Sequence, residues 1–97
     1  MQPKAAGHAW FYEDDYEAFR KLLPDRSWHA TFGLWEKSAE QTVQRFESQG
    51  IRAIKAEVRS NEFVAWCTAS GLGVDAKALT MYANEFAASV LFKDYGN

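Results

Sequence analysis

The chain has 97 residues, of which 47% are hydrophobic, 25% charged and 15% aromatic, and its formal net charge is −2. This length allows one domain with a modest core, and the near-neutral charge argues against the basic face that unspecific nucleic-acid binding needs. Cys67 is the only cysteine, which excludes an internal disulfide and a scaffold that depends on one.

No stretch of the sequence predicts contact with a membrane. The first ten residues, MQPKAAGHAW, lack the apolar run of a signal peptide. The longest apolar stretch, FAASVLF, is too short to cross a bilayer. We therefore expect a soluble cytoplasmic protein with no membrane partner.

Two elements are predicted in the first quarter of the chain. The short aromatic run at 9–12 is typical of a strand. The segment 14–23 repeats apolar residues on one face and begins with Asp14 as its N-cap, so it is predicted to be a helix. Pro24 ends this helix, because a proline disfavours helical geometry in the residue before it.

The middle of the chain allows two interpretations. Apolar residues recur at steps of three, four, four and three at Phe32, Trp35, Ala39, Val43 and Phe46. This spacing predicts one helix at 31–49, capped by Thr31 and closed by Gly50. Residues 28–34 also alternate as a strand does, in which case a capping box at Ser38 would begin a shorter helix. We favour the single long helix.

The segment 51–58 is predicted to be a strand, because apolar and charged residues alternate along it. One face of this strand is apolar and the other is charged, so we expect helices to cover only one side of the sheet. A sheet of two strands is marginally stable. We therefore expect a further short strand, or a strand from a second subunit, to complete it.

Two helices are predicted in the last third of the chain. Ser60 would cap a helix at 60–70, which Gly71 ends. Asp75 would cap a longer helix at 76–93. The sequence between them, GLG, is predicted to be a turn that joins the two helices.

The last predicted helix is apolar on two opposite sides. One stripe comprises Leu79, Tyr82, Ala83, Phe86 and Val90. The opposite stripe comprises Met81, Ala88 and Phe92. A helix that is apolar on two sides is usually buried on two sides. The second stripe is therefore a candidate interface, and we expect a homodimer in which it meets the same stripe of a second copy.

These elements together predict a single α+β domain at 1–97. A small sheet, with strands near 9–12 and 51–58, would be packed on one face by about four helices. The predicted helices are 14–23, 31–49, 60–70 and 76–93.

Cys67 follows Trp66 and shares a helix face with Phe63, so its thiol is predicted to pack in the core rather than to react. A catalytic pair would need His8 or His29 beside it, and neither stands in a recognisable signature. The sequence also lacks the paired ligand spacing of a zinc site and the strand–glycine pattern of a dinucleotide-binding loop. We expect no catalytic residue, no metal and no cofactor.

The second half of the chain carries the motif F-x-x-W-C-x-x-x-G at 63–71, followed by DAKAL and YANEFA and preceded by QGIRAIKAEV. In these features, over residues 49–88, the chain resembles small uncharacterised bacterial proteins with a strand–helix–helix C-terminal pattern. The resemblance implies a bacterial cytoplasmic origin. It carries over no activity and no site residue.

Three functional hypotheses follow from these observations. The leading one is a non-enzymatic accessory protein that self-associates or binds another protein, because aromatic side chains are in surplus and the last helix has a second apolar stripe. The first alternative is a small-molecule-binding protein or an enzyme, with an aromatic pocket formed by Trp10, Tyr12, Trp28 and His29. The second alternative is a protein associated with nucleic acid, for which the scattered basic residues give little support.

Overall fold

The computed structural model describes residues 4–95, and the side chains of 5–93, which form two strands and four α-helices. In chain order the elements are β1 (Lys4–Trp10), a 3-10 helix (Glu13–Asp15), α1 (Tyr16–Leu22), α2 (Phe32–Ser48), β2 (Ile51–Glu57), α3 (Ser60–Ala69) and α4 (Ala76–Tyr95). The predicted α+β class is confirmed. None of the helices within the described residues combines the length and the apolar character of a membrane span.

The sheet consists of β1 and β2, which run parallel in a register that sets Lys4 beside Ile51 and Trp10 beside Glu57. A parallel pair requires a crossover connection, and here the crossover contains the 3-10 helix, α1 and α2. β1 begins five residues before the predicted strand at 9–12 and ends two residues before its predicted end. Residues 4–95 contain no third strand, so the further strand expected within this chain is not found there.

One face of the sheet lies against α4 at very short range. A β-carbon added to Gly7 would overlap the carbonyl oxygen of Ala83, so only a glycine allows this approach of helix to strand. Ala9 and Ala56 continue the same face of the sheet, and both are buried. Small residues on the strands and on α4 thus bring the two backbones together.

The opposite face of the sheet contacts α2. The Trp10 and Lys55 side chains point away from the Gly7 face, because alternate residues of a strand point to opposite sides. The Trp10 ring centroid lies 5.1 Å from that of Trp35, and the Lys55 Nζ lies 3.1 Å from a Glu40 carboxylate oxygen. The expectation that helices pack on one face only is therefore corrected, because α2 contacts this charged face through a ring contact and an ion pair.

The largest fully buried side chains of the core are aromatic. Phe19 on α1 and Phe63 on α3 are fully buried, with ring centroids 6.0 Å apart. The Phe11 centroid lies 4.9 Å from that of Trp35, which the helical spacing placed on the buried stripe of α2. Because each buried aromatic ring removes a large apolar area from water, a few of them suffice to hold a domain of this size.

The ends of three helices follow the predicted signals. The Thr31 hydroxyl accepts a hydrogen bond from the Leu34 N–H at 3.2 Å, and Gly50 has a φ of +77° just after α2. The single long helix is thus confirmed, and the shorter one that would begin at Ser38 is excluded. Asp75 caps α4 as predicted, and Gly71, with a φ of +69°, ends α3 as predicted.

Two predicted caps, Asp14 for the first helix and Ser60 for α3, are wrong. Asp14 does not cap the first helix but pairs with Arg59 at 3.2 Å. Ser60 does not act as N-cap, because it is the first residue of α3, and its N–H donates to the Asp15 carboxylate at 2.6 Å. Its hydroxyl donates to the same carboxylate at 2.8 Å. Asp15 therefore caps α3 from a distant part of the chain.

Candidate interaction surfaces

The second apolar stripe of α4 lies on the surface of the single chain. The Met81 side chain is 43% exposed and that of Phe92 is 77% exposed, while Ala88 between them is also exposed. The other side of the helix is buried through Leu79 and Ala83. The stripe predicted from spacing is thus exposed on the single chain, and its role as an interface stays a prediction.

A groove continues this stripe toward the turn between α3 and α4. It has a volume of about 350 Å³, and Met81 forms part of its wall together with Leu72 and Ala78. Asp75 and Lys77 lie at its rim. The stripe and the groove therefore form one largely apolar surface with charged residues at its border.

A second groove runs along the neighbouring side of α4. It measures about 210 Å³ and is lined by Trp66 from α3 and by Tyr82 and Phe86 from α4. The Trp66 and Tyr82 rings meet edge to face, with centroids 5.3 Å apart. Burial raises the pKa of Tyr82, with a smaller contribution from the charge of Glu62.

The four residues of the predicted aromatic pocket lie in different surroundings. Trp10 packs on Trp35, and the Trp28 ring packs on Phe11 with centroids 5.3 Å apart. Tyr12 donates a hydrogen bond from its hydroxyl to Glu57 at 3.1 Å. No ring contact within the described residues joins Trp28 to Trp10 or Tyr12.

The remaining member of that set, His29, is exposed, and its carbonyl accepts a hydrogen bond from the Tyr16 hydroxyl at 2.9 Å. The Trp28 indole N–H donates to the Leu23 carbonyl at 2.8 Å. These bonds hold the loop after α1 against the core. The binding of a small molecule by these residues stays a prediction.

Cys67 is fully buried on α3, and the prediction that it packs in the core is confirmed. Burial raises the pKa of its thiol, and the charge of Asp75 adds to the effect. The thiolate, which is the reactive form, is therefore disfavoured in the folded chain. Among the residues that the structure describes, no three metal-ligating side chains come together.

A further cleft, which no sequence pattern predicts, lies between β1 and α4 and includes Arg26 in its wall. Arg26 lies in a polar loop with no motif around it. The cleft is formed by segments that are distant in the chain and come together only in the fold, namely residues 7–9, Arg26 and residues 79–83. No spacing along the chain predicts it.

Comparisons of the chain with protein-family models, with curated proteins and with solved structures give no match. The resemblance to small bacterial proteins therefore stays an expectation from the sequence.

Proposed function

We propose that this protein is a self-associating interaction module, a homodimer joined through the outer stripe of α4. The observation that carries the proposal is the exposure of two large apolar side chains, Met81 and Phe92, on one stripe of a helix whose other side is buried. Apolar side chains that lie in a row on a protein surface are typical of an interface, whereas isolated ones are ordinary.

The spacing of the stripe suits a two-fold contact. Met81 and Phe92 are eleven residues apart, which is about 16 Å along the helix. An antiparallel pairing of two copies of α4 would set Met81 of one chain opposite Phe92 of the other, and the reverse. Ala88 between them is small and lets the two helices approach each other. Methionine suits such a contact because its flexible thioether adapts to an imperfect surface.

The area requirement indicates that the stripe does not act alone. A stable interface buries about 800 Å² on each partner, which exceeds what three side chains supply. The groove of about 350 Å³ at Met81, with Leu72 in its wall, extends the apolar surface toward α3. The proposed interface therefore comprises the stripe and this groove, with Lys77 at its polar rim.

The test is light scattering of the wild type and of the double variant Met81→Lys/Phe92→Lys. We expect a dimer for the wild type at micromolar concentration. The double variant should be a folded monomer with the same helical circular dichroism, because it sets like charges opposite each other across the axis.

The matched control is Gln41→Lys/Gln44→Lys, which adds the same two charges at exposed positions of α2. This control should remain a dimer. A wild type that is monomeric at high micromolar concentration would overturn the proposal. If the double variant unfolds, the stripe is needed for the stability of the single domain rather than for the contact between two copies.

A further inference from the structure

The outer edge of β1 carries backbone groups that the sheet does not use. The Trp10 carbonyl accepts a hydrogen bond from the Val58 N–H at 3.1 Å, so residues 6, 8 and 10 turn their backbone groups toward β2. Gly7 and Ala9 alternate with these residues and turn their groups outward. Within the described part of the chain, the N–H groups of Gly7 and Ala9 donate to no acceptor. This edge can therefore accept another strand.

A cleft of about 170 Å³ lies between that edge and α4. Gly7 and Ala9 form one wall, residues of α4 form another, and Arg26 completes it from the loop after α1. The strand residues that line the cleft offer little steric hindrance, because Gly7 and Ala9 are small and only His8 has a long side chain. The His8 Nδ1 lies 2.9 Å from the Ala9 carbonyl oxygen, so this outward carbonyl already has a partner within the chain, and the groups open to a peptide are the N–H groups of Gly7 and Ala9.

Arg26 brings a positive charge to the cleft, and no described acidic side chain pairs with it. Its guanidinium carbon lies 4.5 Å from the Trp28 ring centroid and 5.3 Å from that of Phe11. These rings hold the side chain in place, and burial lowers the pKa of the guanidinium. Arg20 and Arg59, by contrast, each pair with a carboxylate. An anion in the cleft would supply the partner that Arg26 lacks.

We propose that this cleft binds the C-terminal end of an extended peptide, which pairs with the outer edge of β1 and sets its terminal carboxylate against Arg26. The unpaired N–H groups of Gly7 and Ala9 supply the ladder of backbone hydrogen bonds in this mode of recognition. Arg26 supplies the charge-assisted bond, for which a planar guanidinium and a carboxylate are well matched.

The position of Arg26 favours a chain end over an internal acidic residue, because Arg26 closes the cleft where the strand stops. The cleft has a volume of about 170 Å³, and the rest of the peptide would lie along the open edge. Arg26 lies near Phe11, beyond the C-terminal end of β1. A peptide that reaches it with its own C-terminus therefore runs parallel to β1, in the same direction as β2.

The test uses the acetylated peptide Val-Thr-Val-Ala with a free C-terminal carboxylate, titrated into the ¹⁵N-labelled full chain and followed by NMR. We expect saturable shifts of the Gly7 and Ala9 amide signals and of the Arg26 Nε–H signal. The same peptide with a C-terminal amide should bind at least tenfold more weakly, because the charged partner of Arg26 is absent. Equal affinity of the two peptides overturns the proposal.

A variant pair adds a second measurement. Arg26→Met keeps an apolar stem against Trp28 and should lower the affinity for the carboxylate peptide at least tenfold. Arg45→Met, which removes an exposed arginine of α2, should leave the affinity unchanged. If Arg26→Met unfolds, the comparison of carboxylate and amide peptides on the wild type still decides the outcome.

Two further titrations separate this site from a simple anion site and from the proposed dimer. Inorganic phosphate that shifts the Arg26 signal, while the peptide shifts neither Gly7 nor Ala9, would overturn peptide binding. The double variant Met81→Lys/Phe92→Lys should bind the carboxylate peptide as the wild type does, because neither residue lines the cleft. Peptide-induced shifts centred on Met81 instead would also overturn the proposal.

Discussion

At the scale of single residues, Asp15 shows how a side chain can stabilise a helix far from it in the chain. Its carboxylate accepts hydrogen bonds from both the N–H and the hydroxyl of Ser60, at 2.6 and 2.8 Å. The N-terminus of a helix has unpaired N–H groups and a partial positive charge. A carboxylate there stabilises the helix both by accepting hydrogen bonds and by its negative charge. The residue before α3, Arg59, supplies no side-chain cap of its own.

Replacing Asp15 with alanine should therefore lower the free energy of unfolding by about 1–2 kcal/mol, the usual effect of losing a helix cap. The neighbouring variant Asp14→Ala removes only an exposed pair with Arg59 and should cost about 0.5 kcal/mol or less. Urea denaturation of the two variants measures the difference. Equal losses would mean that Asp15 does not act as the cap of α3.

Cys67 gives a second prediction at this scale, because its thiol is fully buried. The native protein should resist thiol reagents, and the thiol should react once the chain is unfolded in denaturant. Cys67→Ser should lower the free energy of unfolding by about 1–3 kcal/mol, since it places a hydroxyl in an apolar site. Cys67→Ala should cost less. Rapid labelling of the native chain would show that the site opens to solvent.

At the scale of elements, the contact of β1 with α4 depends on one glycine. Gly7→Ala would force the strand and the helix apart at Ala83 and should cost about 3 kcal/mol, as overpacking at a rigid backbone contact does. Gly33→Ala is the matched control, because its β-carbon meets open space in the first turn of α2. That change should stabilise the protein by about 0.5–1 kcal/mol. Thermal or urea unfolding of both variants tests the contrast.

The elements that the sequence predicts well are those with a strong local pattern. The helix expected at 31–49 is found at Phe32–Ser48, and the strand expected at 51–58 is found at Ile51–Glu57. Periodic burial and capping residues are both local, so they can be recognised without knowing the fold.

The first half of β1 could not be recognised in this way. Residues 4–8 are rich in alanine and glycine, which are poor strand formers, and tertiary contact with α4 overrides that preference. The Asp15 cap and the Arg26 cleft were missed for a related reason, since each joins parts of the chain that only the fold brings together. The apolar stripe at Met81, Ala88 and Phe92, in contrast, follows from helical spacing alone.

At the scale of the whole molecule, burial of weak acids predicts how stability depends on pH. Burial raises the pKa of the Cys67 thiol and of the Tyr16 and Tyr82 hydroxyls above their ordinary values of 9.0 and 10.0. The unfolded chain releases these protons at a lower pH than the folded chain does, so alkali favours the unfolded state.

We expect the free energy of unfolding to be level at neutral pH and to fall as the pH rises above about 9. In Cys67→Ala the decline should begin at a higher pH, because the tyrosine hydroxyls ionise later than a thiol. Urea denaturation at a series of pH values from 7 to 11 measures both curves. A free energy that stays level to pH 11 would contradict the prediction.

The parallel pairing of β1 with β2 also determines the order in which the domain can form. Lys4 and Ile51 are neighbours in the sheet but lie 47 residues apart in the chain, so the pairing must close a long loop before it gains any hydrogen bond. Contacts of such separation slow folding. The contact of Gly7 with Ala83 of α4 closes a still longer loop and therefore forms later. On the ribosome, β1 would thus emerge before β2 and α4, and its edge would stay open to other chains until both of these elements have followed.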